Sequence, residues 1–208
     1  SFHPVKTVTG GEGGAITTND EELYKKLSLL RTHGITKNAD EMPRPTNERW
    51  YQDQICLGYN YRMTDFQAAL LLSQLKKLPA FSMKRKEIVE KYDDAFVMIP
   101  QIRIQREILE SDTTRHLYVI RLVPGALNCT RQEFFEALYA ENVCPQVHYL
   151  PVYWHSYYEK LGYKRGLCPN AESYYEEAMS IPLYYSLSDK DVDDVIAAVK
   201  KVVEYYKK

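Results

Sequence analysis

The sequence predicts an α/β protein built in two lobes, and three features predict it. Near the start of the chain a β-prone run follows a glycine-rich turn and leads into a capped helical pattern. A second helical pattern, roughly 80 to 96, reads as a connector between the lobes. Beyond it, alternating and helical periodicities follow one another as strand, helix, strand, which is the pattern of an α+β lobe.

Each element has a local reason. GGAITT, residues 13–18, is a short β-prone run after the turn. In NDEELYKKLSLLRTHG, Asn19 or Asp20 can cap a helix and Gly34 can end it. Residues 35 to 58 carry Pro43 and Pro45 without periodicity and read as a long loop, a kind often functional in compact proteins. Thr64 and Gln67 stand at capping-box spacing before the apolar run of TDFQAALLLSQLKKL. In the second half TRHLYVIRLV alternates like a strand, TRQEFFEALYAEN is a helix with Thr130 and Glu133 at cap spacing, and VCPQVHYL is a further strand. SDKDVDDVIAAVKKVVEYYKK closes the chain as an amphipathic helix, with Ser188 and Asp191 at its start and lysines at its end to suit the helix dipole. The lobes are expected to span 1–78 and 79–208.

Composition narrows the function classes. A chain of 208 residues is long enough to bury roughly 70% of its unfolded surface. Lysine and arginine number 27 against 28 acidic residues, with no single-sign block to hold a polyanion, so nucleic acid is not an expected partner. No apolar run approaches the ~20 residues of a membrane span, and a cytoplasmic protein is expected. Cys56, Cys129, Cys144 and Cys168 are scattered without a C-x-x-C pair, so neither a metal site nor a disulfide framework is expected. Most of the 18 tyrosines are assigned to core packing.

The chemistry begins with SFHPVKTVTGGEGGAITT. Lys6, beside a tight glycine turn, can form a Schiff base with an aldehyde cofactor if its amine is desolvated, although a solvated surface lysine is the commoner use of such a position. GGEGG lacks the spacing of a dinucleotide fingerprint. Five segments taken in order are more specific: the opening stretch, LRTHGITK, LGYNYRMTDFQAALLLSQL, VHYLPVY and SIPLYYSLSDKDVDDV. Together they resemble the DegT/DnrJ/EryC1/StrS family of sugar aminotransferases over nearly the whole chain. RTHGITK, GYNYRMTDFQAA and QVHYLPVY look most like the branch that aminates UDP-linked 4-keto-6-deoxy-N-acetylhexosamines, the UDP-4-amino-4,6-dideoxy-N-acetyl-altrosamine transaminases.

The resemblance implies the C-terminal part of the PLP-dependent transferase fold type I, a remnant of the large domain followed by a small α+β domain. Lys6 would be the Schiff-base lysine for pyridoxal 5'-phosphate (PLP) and the group that moves the proton between Cα and C4'. Ser1 would bind the cofactor phosphate, and Asn60 would reach the phosphate of a neighbouring subunit in a homodimer. Arg62 is matched to an anionic substrate group, and His148 and Tyr149 border the sugar pocket, with Tyr153 a further polar ring tip. Each position has an ordinary structural use as well: Asn60 in a turn, Arg62 in a surface ion pair, His148 as a satisfied strand histidine. The family's half that precedes the lysine carries the aspartate for the pyridine nitrogen and the ring-stacking residue. The chain therefore reads as the C-terminal half of a longer polypeptide, inactive alone, with nucleotide-sugar and amino-acid substrates expected for the parent. The alternative is a noncatalytic dimerisation or folding module.

Overall fold

The structure is a computed structural model that describes residues 1–44 and 46–208; Pro45, in the expected long loop, lies outside the described residues. Two compact units divide the chain, Ser1–Leu78 and Pro79–Lys208.

In the first unit, α1 (Glu21–Arg31) starts at Asp20, whose side chain accepts from the Leu23 N–H at 3.0 Å, with Glu21 and Glu22 in the first turn to suit the dipole. At its other end Gly34 N–H donates to Leu29 O at 2.9 Å, so the helix closes there as the sequence suggests. The residue before that glycine, His33, takes the left-handed conformation (φ 64°) that glycine usually fills. The expected long loop contains a short antiparallel pair, β1 (Ile35–Thr36) with β2 (Asp53–Gln54). It is followed by α2 (Asp65–Leu75), whose Thr64–Gln67 capping box is complete.

Two features of this unit differ from expectation. Residues 13–18 form no strand. A β-prone run becomes a strand only when a neighbour takes its backbone groups, and no described segment pairs with this one; Ile16 is 73% exposed. In addition, α2 buries only Leu71, while Phe66, Leu70, Leu72 and Leu75 are exposed.

The second unit opens with α3 (Leu78–Phe96) and holds the hydrophobic core. β3 (Ile102–Ile104), β4 (Tyr118–Leu122) and β5 (Ala178–Ile181) form an antiparallel sheet in the order β3-β4-β5. The pairing sets Arg103 opposite Arg121 and Ile120 opposite Met179. Strand alternation turns Tyr118, Ile120 and Leu122 to one face, where α3, α4 (Arg131–Ala140) and α7 (Asp189–Tyr206) cover them through Tyr92, Phe96, Phe134, Leu138, Val199 and Val202. α4 and α7 start at complete capping boxes, Thr130–Glu133 and Ser188–Asp191. α5 (Ser156–Lys160), α6 (Pro169–Glu177) and β5 occupy sequence that offers no clear period.

VCPQVHYL is not a strand either: only Gln146 bridges, exchanging hydrogen bonds with Ser180 at 2.9 and 2.7 Å. Pro145 has no N–H to give a ladder, which limits pairing to the residue after it. The tyrosines also correct the expectation. Among the described residues only Tyr92 and Tyr118 are fully buried in the core; Tyr59 and Tyr61 stack on each other, and Tyr157 with Tyr158 and Tyr205 with Tyr206 pair edge-on, Tyr206 packing against the core's edge. A phenol can bury one ring face against a neighbour and keep its hydroxyl in water, so tyrosine count does not measure core.

Candidate functional site

In the first unit, two glycine-dependent approaches shape the surroundings of the expected site residues. The opening turn is closed by Phe2 N–H donating to Gly13 O at 2.9 Å and Gly10 N–H donating to Phe2 O at 3.0 Å. Gly10 sits against the start of α2, where a Cβ would meet Gln67 O at 3.4 Å and the Leu71 Cβ at 3.7 Å. Gly13 (φ 127°) faces Met63, whose Cε would lie 2.8 Å from a Cβ there. The turn that carries Lys6 is thereby seated on α2. Lys6 itself is exposed and its ammonium has no hydrogen-bond or ion-pair partner among the described residues. The Ser1 hydroxyl accepts from His3 N–H at 3.5 Å and keeps its own donor free.

The second approach joins RTHG to GYNYRM. Gly34 and Gly58 meet so closely that a Cβ on Gly58 would stand 2.1 Å from Gly34 N, and one on Gly34 would stand 2.0 Å from Cys56 O. Tyr59 N–H donates to Leu30 O at 2.8 Å, Tyr61 N–H to Arg31 O at 3.0 Å, and His33 N–H to Tyr59 O at 2.8 Å. This stitching aligns Asn60 and Arg62 beside His33. Arg62 Nε donates to Asn60 Oδ1 at 3.2 Å, and Nη2 lies 3.3 Å from His33 Nε2. A guanidinium only donates, so His33 Nε2 is the acceptor in this contact. Arg62 uses two of its donors in this trio and presents the others to solvent, an arrangement suited to an anion.

His33 is the residue that sequence reasoning missed. Its left-handed backbone is held by its own N–H and by Gln54 Nε2, which donates to His33 O at 2.9 Å. Strain held in place by surrounding bonds is a mark of functional positions. The signal in the sequence is a histidine at the helix end where glycine is the usual choice. No hydrogen bond or ion pair joins Lys6 or Ser1 to Asn60 or Arg62 among the described residues.

His148 and Tyr149 lie in the second unit. The half-buried His148 ring places Nδ1 2.9 Å from Ser180 Oγ on β5 and meets the exposed Tyr149 ring edge-on at 4.6 Å. The Tyr153 hydroxyl donates to Glu172 and accepts from Cys168 N–H at 3.1 Å, pinning the turn before α6. That bond holds the Glu172 carboxyl below its ordinary range, while burial, with Glu172 beside it, pushes the Tyr153 phenol up. Among the described residues no cluster of three or more potential metal ligands occurs and no helix is long and apolar enough to cross a membrane.

The sequence pattern of the DegT/DnrJ/EryC1/StrS aminotransferase family matches residues 1–200. The chain belongs to this family. It is 39% identical over 208 residues to the UDP-4-amino-4,6-dideoxy-N-acetyl-beta-L-altrosamine transaminase of Campylobacter jejuni, a match covering 100% of this chain and 52% of that protein. The solved structure of Helicobacter pylori PseC, an aminotransferase involved in the biosynthesis of pseudoaminic acid, is similar with a TM-score of 0.86 at 32% identity, covering 99% of this chain and 53% of that one. The PLP form of a putative sugar aminotransferase from Streptococcus pneumoniae is similar with a TM-score of 0.80 at 32% identity, covering 99% and 51%. The mixed α/β fold is thus that of part of a PLP-dependent aminotransferase. The chain spans about half the length of the curated relatives it matches.

Proposed function

We propose that this chain supplies the lysine-bearing half of a PLP-dependent aminotransferase that transfers an amino group, from an amino acid such as glutamate, to the keto carbon of a nucleotide-linked sugar. A UDP-linked 4-keto-6-deoxy-N-acetylhexosamine is the preferred acceptor, and the product enters glycan biosynthesis. The observation that carries the reading is Lys6: an unpartnered primary amine on a turn that two glycines seat against α2, in a chain that belongs to the aminotransferase family.

The residues present fit the group. When bound, PLP supplies the electron sink that makes transamination possible. Lys6 offers the amine that would hold the cofactor and a primary amine that would act as the proton-carrying base beside it. The free Ser1 hydroxyl is available to donate to the phosphate. Asn60 serves the phosphate of a partner subunit in a homodimer, and Arg62, steadied by Asn60 and His33, takes an anionic group of the substrate. His148 and Tyr149 border the sugar, with Ser180 orienting the His148 ring. In this reading residues 1–78 belong to the large, cofactor-binding domain and 79–208 form the small domain.

A second reading has one observation in its favour. Phe66, Leu70, Leu72 and Leu75 of α2 are exposed together, which suits a dimerisation module without chemistry of its own. The two are separated by the cofactor. In the full-length protein, PLP absorbance in the visible and a borohydride-trapped adduct on the Lys6 peptide are expected, both lost in Lys6→Ala. The pyridoxamine-loaded enzyme should turn over with the 4-keto sugar nucleotide and not with simple 2-keto acids alone. A Lys6→Ala spectrum equal to wild type sinks the assignment of Lys6, and turnover with 2-keto acids only sinks the sugar acceptor. The 208-residue chain by itself is expected to hold PLP weakly, because Lys6 is exposed on its surface.

A further inference from the structure

The face of the second unit's sheet opposite the core carries a cavity of about 720 Å³ that has no part in the reading above. It is lined by apolar Val97 and Val119, with the Tyr174 ring, and by the basic Arg103, Arg106 and Arg121. The pairing of β3 with β4 sets Arg103 directly opposite Arg121, where two like charges repel unless something neutralises them.

Glu177 does part of this. Its side chain is 10% exposed and both carboxylate oxygens are engaged: Arg121 Nε and Nη2 donate to Oε2 at 3.1 and 2.7 Å, and Ser173 Oγ donates to Oε1 at 2.9 Å. Arg121 also lies over the Tyr174 ring at 5.6 Å, so it is fixed on two sides. Arg103 is not. Its Nη1 stands 3.8 Å from Glu177 Oε2, too far for a hydrogen bond, and its side chain is 54% exposed. Arg106, also exposed, has no ion-pair or hydrogen-bond partner among the described residues. Arg121 and Arg103 therefore share one carboxylate, Arg106 adds a third guanidinium with no partner among the described residues, and the two with unused donors, Arg103 and Arg106, line the cavity beside Val97 and Val119. Guanidinium donors match phosphate oxygens in pairs, and the volume is that of a small-molecule site.

We propose that this cavity binds an organic phosphate, its phosphate held by Arg103 and Arg106 and its apolar part lying on Val97 and Val119. Arg121 is a positioning residue, because Glu177 and Tyr174 hold it as the fixed edge of the site. The site lies wholly within residues 97–177 and does not depend on Lys6 or Arg62.

Phenyl phosphate is a suitable probe, titrated into the 208-residue chain while the methyl resonances of Val97 and Val119 are followed. A saturable shift of these methyls is expected. Arg103→Gln and Arg106→Gln should each weaken binding about tenfold, as for loss of a charge-assisted hydrogen bond. Phenol at the same concentration should leave the methyls in place. Both arginines are exposed, so their replacement leaves the core intact; if Arg103→Gln disturbs the sheet, Arg106→Gln alone carries the test. Absence of a saturable shift, wild-type affinity in both variants, or equal response to phenol overturns the proposal. So does loss of the shift in Arg62→Ala with retention in the two glutamine variants, which moves the binding to the first unit.

Discussion

Replacing Gly58 by alanine tests whether the Asn60–Arg62–His33 trio depends on close backbone contact. A Cβ at Gly58 falls 2.1 Å from Gly34 N and 2.4 Å from His33 C, whereas ordinary contact begins at 3.4 Å, so the two segments must part by more than 1 Å. Neither contact is a side-chain end that can swing away. The separation acts on the three bonds that stitch these segments together: Tyr59 N–H to Leu30 O, Tyr61 N–H to Arg31 O and His33 N–H to Tyr59 O. At ~0.5–1.5 kcal/mol net for each, their loss costs about 1.5–4.5 kcal/mol locally. Amide hydrogen exchange reads this directly, since every 1.4 kcal/mol or so is a factor of about ten in the opening equilibrium. The amides of His33, Tyr59 and Tyr61 should exchange at least about tenfold faster in Gly58→Ala, while those of Phe134 and Val199 in the second unit keep their protection. Gly14→Ala is the matched control: nothing lies within 4 Å of its Cβ position and its φ is not positive, so a change within about 0.5 kcal/mol is expected. Wild-type protection at Tyr59 and Tyr61 in Gly58→Ala would refute the argument, and equal damage from Gly14→Ala would show that any added methyl has the same effect.

The second unit supports two further predictions. Tyr118 OH donates to Asp93 Oδ1 at 2.6 Å beside the Tyr92 ring, so Tyr118→Phe should lower urea-unfolding stability by about 1.5–3 kcal/mol, the range for a hydrogen bond to a charged partner. A loss under about 0.5 kcal/mol would show the bond to be energetically idle. The capping boxes set an acid dependence: bonds from Thr130 hold Glu133 below its ordinary range, and bonds from Ser188 do the same for Asp191. Because the folded pKa is the lower one, the stabilisation is present above the ordinary carboxylate range and is lost as pH falls through it towards the folded values. Thermal midpoints across that window should fall less steeply for the Glu133→Gln/Asp191→Asn double variant than for wild type; parallel curves count against the assignment.

Helix starts were legible because a cap is a local contract. Asp20, Thr64–Gln67, Thr130–Glu133 and Ser188–Asp191 each satisfy N–H groups within three residues of themselves, so their spacing carries the whole signal. The same locality explains why α7 was readable from its valines. Strands were harder: GGAITT and VCPQVHYL have β-like composition, yet one has no described partner and the other contains Pro145, while the four residues of β5 carry no alternation and pair through Gln146 and Tyr118, far away in the chain.

For the candidate site, the sequence by itself determined the residue types and the family segments that hold Lys6, Asn60, Arg62 and His148, since motif order survives in one dimension. It also placed the glycines. Which of these residues meet was decided only by tertiary structure. His33 and Arg62 stand 29 positions apart and touch because Gly34 and Gly58 let two backbones pass at a distance no side chain permits. Tyr153 meets Glu172 through its hydroxyl, and Arg103 is brought opposite Arg121 by strand register. Contacts of this kind depend on where a chain returns in space, and a local pattern of residues contains no term for that.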